Sequence, residues 1–251
     1  MIQLTLNNLS VMRGDKPILQ NISCAAQGGE FIGLIGPNGA GKTSLMRAML
    51  GLLPHSGECS LSSLSRDAKA KTVSWLPQSR DIAWPMSLEA LVRLGRHPHN
   101  TTATQDDEAV QNALQAMELN DFATRKATAL SGGETARVLI ARCLAQSTPL
   151  LLADEPLADL DMAHQLSVLE LFAAKAAQGD LVISSIHDIG LALRYCTRFI
   201  LLGDQQLLAD GKPEDIVKEP IFSHVFGIET LFVRSDDGPI FMPKKRLASQ
   251  K

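Results

Sequence analysis

No stretch of this 251-residue chain approaches the roughly 18 consecutive apolar residues that a membrane-spanning helix requires. Any work at a membrane is therefore expected to pass through a partner, with the chain itself soluble. The first residues, Met1-Ile2-Gln3-Leu4-Thr5, lack the basic start and long apolar run of a secretory leader. No C-x-x-C pair is present. The four cysteines, Cys24, Cys59, Cys143 and Cys196, stand apart in apolar or mixed surroundings and are predicted to be reduced and unpaired in a cytosolic protein. Excess positive charge is lacking as well. A formal net charge of −3 argues against a nucleic-acid surface, so no nucleic-acid partner is expected. Internal repeats and disordered linkers are also missing.

What is present is apolar enough, at 45% hydrophobic residues, to bury a large core as one α/β domain or a domain with a subdomain. Its most specific stretch is residues 36–44, Gly36-Pro37-Asn38-Gly39-Ala40-Gly41-Lys42-Thr43-Ser44, which fits the phosphate-binding pattern G-x-x-x-x-G-K-[ST]. Backbone N–H groups converge on a triphosphate only where glycines permit positive φ and close approach. The helix that follows adds the positive end of its macrodipole. In this pattern Lys42 reaches the outer phosphates and the Thr43 hydroxyl binds Mg²⁺. The context agrees, with an apolar strand pattern over residues 30–35 before the loop and a helical pattern over 45–50 after it. The alternative, a Gly-rich turn with a solvated lysine, explains none of that context.

Residues 1–35 are predicted to form small antiparallel strands, with turns at Arg13-Gly14-Asp15 and Gln27-Gly28-Gly29. Residues 51–72 read as irregular, with one short strand, and 72–78 as a strand ending at Pro77. From 79 to 146 the pattern turns helical. Ser87 is predicted to cap one helix and Thr104 to start another, with no strand between, as in a helical insertion. Residues 149–155 then read as a buried strand, followed by a long amphipathic helix up to Gly179 and a second buried strand over 181–186. A hairpin over 199–211, a short helix from Pro213 and a strand–turn–strand over 231–242 complete the chain. The tail Lys244-Lys245-Arg246 is predicted to be a solvated end.

Several polar residues fall at the ends of these strands, where ligands collect in open α/β sheets. Asp154 is placed to hold Mg²⁺, and Glu155 next to it to accept a proton from an attacking water. Gln78 and His187 follow two other strands, yet a lone glutamine or histidine is as readily structural. Ser131-Gly132-Gly133 opens a helix and is a second candidate anion site, although S-G-G alone is more often a flexible turn.

Taken in order, the phosphate loop, Gln78, Leu130-Ser131-Gly132-Gly133-Glu134, the strand with Asp154-Glu155, and His187 resemble the ATP-binding cassette of ABC transporters, over residues from about 5 to 210. The resemblance implies a P-loop NTPase (RecA-like) core, residues 1–78 and 147–251, with an N-terminal antiparallel β region and a helical signature subdomain at 79–146. It implies ATP and Mg²⁺ as cofactors and a head-to-tail homodimer, each ATP lying between one copy's phosphate loop and the other's Ser131-Gly132-Gly133. Glu155 would then be the general base, His187 a switch on the γ-phosphate, Gln78 a sensor at Mg²⁺, and Asp161 a residue crossing the interface. Integral-membrane permease subunits would be partners, and a substrate-binding protein an indirect one. The chain would sit peripherally on the cytoplasmic face of the inner membrane.

Leu94-Gly95-Arg96-His97-Pro98-His99, Asp161-Met162-Ala163-His164-Gln165 and the stretch around Val225-Phe226-Gly227-Ile228 resemble importers for iron–siderophore complexes, haem and cobalamin. A coupling helix of the permease is expected to dock on the helical insertion near Arg93 and Arg96. Where many cassettes stack an aromatic on adenine, this chain has Met12-Arg13, so the Arg13 guanidinium is the candidate platform. A soluble cassette acting on ribosomes or DNA would carry tandem cassettes or a coiled-coil or zinc-hook insertion, and neither is present. Glu155 weighs against a regulatory module without turnover. An importer ATPase for another cargo remains an alternative.

Overall fold

The computed structural model describes residues 1–247. Two long strands, β1 (Gln3–Arg13) and β2 (Lys16–Gln27), pair antiparallel across the turn at Gly14-Asp15. Next come β3 (Phe31–Ile35), α1 (Lys42–Met49) and β4 (Ser56–Cys59), the last pairing with β1 to complete a three-stranded antiparallel sheet. Residues 66–72 are helical rather than irregular, forming α2 (Arg66–Thr72). Ser65 starts this helix by accepting the Ala68 N–H, and Lys69 donates to the Leu50 carbonyl at the end of α1. A serine-rich composition concealed that cap.

Beyond β5 (Val73–Leu76) lie the helices α3 (Leu88–Arg93), α4 (Ala103–Ala116) and α5 (Gly132–Ala145). Ser87 caps α3 by accepting the Ala90 N–H. The cap of α4 is Thr102, not Thr104. Gln105 answers Thr102 in a capping box, whereas the residue three beyond Thr104 is an aspartate. The rest of the chain adds β6 (Leu150–Asp154), α6 (Met162–Ala177), β7 (Leu181–Ser185), α7 (Ile189–Tyr195), β8 (Arg198–Gly203) and β9 (Gln206–Gly211). Short helices α8 (Pro213–Ile216) and α9 (Pro220–Phe226) lead to the hairpin of β10 (Ile228–Ser235) and β11 (Gly238–Arg246). Lys244 and Lys245 belong to β11 and pair with Glu229 at 2.7 and 3.1 Å. The basic tail is therefore strand, with its side chains exposed to solvent as expected.

The central sheet has the order β5-β6-β7-β3-β8-β9, parallel except for β9. Its middle strands are buried on both faces, which explains their unbroken apolar runs. Ile32, Leu34, Leu150 and Leu152 face the antiparallel layer and α1. Phe31, Ile35, Leu151 and Ala153 face the helices, where Phe31 meets Phe172 edge to face at 6.0 Å. Parallel pairing brings the carboxyl ends of β3, β5, β6 and β7 to one edge, with Asp154 level with Ser185.

Within the motif from Leu94 to His99, Gly95, Arg96 and His99 form an internal brace, whereas Leu94 and His97 are exposed. A Cβ at Gly95 would lie 2.3 Å from the Arg142 carbonyl oxygen, so the chain there presses on α5. Arg96 is 7% exposed and reaches Asp106, Thr101 and the Ala145 carbonyl at 2.8, 3.2 and 2.8 Å. His99 contacts the Gln146 carbonyl at 2.7 Å. Arg96 thus ties α4 to α5 from inside the helical part, while Arg93 pairs with Glu89 and Asp107 nearer the surface.

Candidate active site

β3 delivers the chain into the glycine-rich loop with φ of 147° at Gly36 and 96° at Gly41. A Cβ at Gly36 would lie 2.2 Å from the Leu202 carbonyl oxygen, and one at Gly41 2.7 Å from Leu19 Cδ2. Both positions need glycine for space as well as for conformation. Gly41 is the N-cap of α1 and offers no side chain to its first N–H groups, which stay available to an anion. Lys42 is buried and donates from Nζ to the carbonyls of Gly36 and Pro37, at 2.8 and 3.1 Å. Burial pulls its ammonium pKa down, and the carboxylates of Glu155 and Asp154 oppose that.

The two carboxylates at the end of β6 share one support. Ser185 Oγ donates to Asp154 Oδ1 and accepts the Glu155 N–H, each at 2.7 Å. Asp154 is 1% exposed, and its Oδ2 has no partner. A bare buried carboxylate oxygen is costly unless a cation meets it, and oxygen donors suit a hard cation such as Mg²⁺. Among the described residues no cluster of three His, Cys, Asp or Glu side chains could cage a metal alone. Glu155 stands in the left-handed region at φ 50°, and its Oε1 accepts a hydrogen bond from His187 Nε2 at 2.7 Å.

A cleft of about 750 Å³ gathers Asn38, Gly39, Gly41, Lys42, Thr43, Ser44, Gln78, Glu155, His187 and Arg13 on one wall system. Gly36, Pro37 and Ala40 belong to the same loop without lining the cleft, and neither does the buried Asp154. Ser131, Gly132, Gly133 and Asp161 do not line the cleft. Ser131 instead caps α5 in a capping box with Glu134, at 2.8 Å between the side chains, and Glu134 also pairs with Arg125. The backbone and side-chain donors of Ser131 hold the Glu134 carboxyl below its usual range. Asp161 caps α6 by accepting the His164 N–H at 2.9 Å, a bond that lowers its pKa. The signature end of α5 rests on the turn after β6, since a Cβ at Gly133 would lie 3.1 Å from the Asp159 carbonyl oxygen.

Sequence reasoning missed several residues here. Lys16, Pro17 and Ile18 also line the cleft, because the turn at Gly14-Asp15 sets Lys16 opposite Arg13. Ser185 was detectable as one of two hydroxyls, with Ser184, closing an otherwise apolar strand. Arg80 carried no local signal, since its partners are two backbone carbonyls and Asp159, 75 to 79 residues further along the chain.

A family model described as ABC transporter matches residues 19–158. The hemin import ATP-binding protein HmuV of Pseudomonas aeruginosa is 38% identical over 242 residues, covering 92% of this chain and 95% of that protein. The petrobactin import ATP-binding protein FpuC of Bacillus anthracis is 35% identical over 96% of this chain and 93% of its own length. The cobalamin import ATP-binding protein BtuD of Halobacterium salinarum is 37% identical over 85% of this chain and 56% of that longer protein. Among solved structures, a dimeric ATP-binding cassette in a post-hydrolysis state with ADP and Pi aligns with a TM-score of 0.75 at 25% identity, covering 84% of this chain and 98% of that one.

Ser185→Ala removes the donor to Asp154 and the acceptor of the Glu155 N–H together. Hydrogen bonds to charged groups contribute about 1.5–3 kcal/mol, so a stability loss of that size is expected in denaturant unfolding. Ser185→Thr keeps the hydroxyl and should retain most of it. Parental stability in Ser185→Ala would show that the hydroxyl holds neither group.

Proposed function

The chain belongs to the ABC transporter family, and we propose that it is the ATP-binding subunit of an importer, an ATPase that drives uptake through a membrane partner. Relatives named for hemin, petrobactin and cobalamin import favour a cargo of haem, iron–siderophore or cobalamin type. The observation that carries the reading is the convergence, at one sheet edge, of the glycine loop, Lys42, the buried Asp154 with its unpartnered oxygen, Glu155 and His187.

In this reading the N–H groups of the loop and Lys42 hold the phosphates, and Arg13 with Lys16 faces the base or ribose. Thr43, Gln78 and Asp154 would hold Mg²⁺, which would supply positive charge against the phosphates. Glu155 takes a proton from a water as its oxygen bonds to the γ-phosphorus, and the bond to ADP breaks with its electrons leaving on ADP. His187 orients the Glu155 carboxylate and reaches the γ-phosphate. Ser131, Gly132 and Gly133 lie outside the cleft, which supports a site completed by a second copy in head-to-tail arrangement, with Asp161 near the seam. Residues 79–146 then act as a signature subdomain against the core of 1–78 and 147–251.

Among the described residues no helix is long and apolar enough to cross a membrane. The permease contact is assigned to a groove of about 620 Å³ between the α1–α2 region and α3–α5, lined by Leu52, Leu64, Trp75 and Leu94 with Arg66 and Lys69 at its rim. Leu52 and Leu94 are 56% and 51% exposed there, apolar surface suited to an amphipathic coupling helix. The working position is peripheral, on the cytoplasmic face of the inner membrane, with a substrate-binding protein on the far side.

Glu155→Gln keeps the shape and removes the proton acceptor, so turnover should fall by about 10²–10⁴ while ATP still binds. Asp154→Ala should instead weaken Mg²⁺–ATP binding. Hydrolysis rates and equilibrium binding separate the two, and near-parental turnover in Glu155→Gln would remove it as the base. Leu94→Asp, in turn, should leave the ATPase of the isolated chain unchanged while abolishing cargo uptake in cells. Normal uptake would place the permease elsewhere.

A further inference from the structure

Gln78 stands at the cleft, and two residues later Arg80 turns inward from a segment, 77–86, with neither helix nor strand. Its side chain is only 12% exposed. Nη2 donates to the Glu155 carbonyl at 2.8 Å, and Nη1 donates to the Ala158 carbonyl and to Asp159 Oδ2, the latter at 3.2 Å. One guanidinium therefore gathers the whole turn that follows β6.

That turn needs holding. Glu155 and Asp159 both sit in the left-handed region, at φ 50° and 63°, where residues with side chains stay only when their surroundings impose it. Ser185 pins the Glu155 N–H from the neighbouring strand, and Arg80 pins its carbonyl from the loop. The sheet cannot release its side of this grip, but a loop can. Burial also disfavours the charged guanidinium, a cost that a solvated loop arginine would avoid. The planar fork is what reaches several acceptors at once, and a single ammonium cannot reproduce that.

We infer that Arg80 is a positioning residue that ties the Gln78 loop to the backbone of Glu155, so that hydrolysis depends on where that loop sits. The inference rests on the reading of Glu155 as proton acceptor. A partner that draws the Gln78 loop aside carries Arg80 with it and frees the Glu155 peptide. That movement also shifts Gln78, but the glycine loop and Lys42, which hold the phosphates, lie outside it, so nucleotide stays bound while its hydrolysis slows.

The test uses the full chain, with Mg²⁺–ATP as ligand. Arg80→Ala should lower kcat about tenfold to a hundredfold, the range for a small misplacement of a reacting group, with the Kd for Mg²⁺–ATP essentially parental. Arg80→Lys should recover only part of the rate. Parental kcat in Arg80→Ala overturns the inference, as does a loss of kcat matched by an equal loss of affinity, or full recovery in Arg80→Lys. Should Arg80→Ala fail to fold, Arg80→Lys decides alone: reduced kcat at parental Kd supports the link, and parental kcat overturns it. Parental turnover in Arg80→Ala beside an inactive Glu155→Gln sinks this inference only, whereas an active Glu155→Gln sinks the reading of the base itself.

Discussion

A parallel sheet covered on both faces leaves its strand ends as the places where polar groups can meet a ligand. The rest of this molecule depends on that constraint. β3 lies between β7 and β8, strands that come from far along the chain, so the glycine loop takes its place only when residues 181–203 are paired beside it. On its other side β7 pairs with β6, which sets Asp154 level with Ser185, and one buried hydroxyl then holds the Asp154 carboxylate and the Glu155 N–H. Fold and site are held by the same ladder of hydrogen bonds.

The helical part follows a different logic. Arg96 and Gly95 fasten its helices to one another, so α5 is presented as a rigid piece. Its first turn spends the Ser131 hydroxyl on Glu134, leaving backbone N–H groups at Gly132 and Gly133 as the free donors. In the proposed dimer those N–H groups, rather than the serine side chain, are the donors ready for a phosphate. The end of α5 rests on the turn after β6, which Arg80 also grips, so signature, base and Gln78 loop meet in one short segment.

The glycine loop was legible because its requirements are backbone ones that few sequences meet, and the buried strands because they carry unbroken apolar runs. Gln78 and His187 became meaningful only once strand order put them at one edge. The role of Arg96 as an internal tie was not legible, because its partners Asp106 and the Ala145 carbonyl lie 10 and 49 residues along the chain. The helix over 66–72 was lost behind its serine-rich surroundings, and Thr104 was preferred to Thr102 because the reciprocal role of Gln105 was overlooked. Lys16 and Arg80 were invisible for a common reason, that contacts set by a turn, by backbone carbonyls or by an aspartate 79 residues away leave no local pattern.

The central claim is that one copy holds an incomplete site and that the α5 end of a second copy completes it. The most direct test is the ATPase rate of the isolated chain with Mg²⁺ as its concentration is varied across the range where it passes from monomer to dimer. A shared site predicts a rate that rises more than linearly with protein concentration. A rate that stays strictly proportional down to concentrations where the chain is demonstrably monomeric would contradict the account.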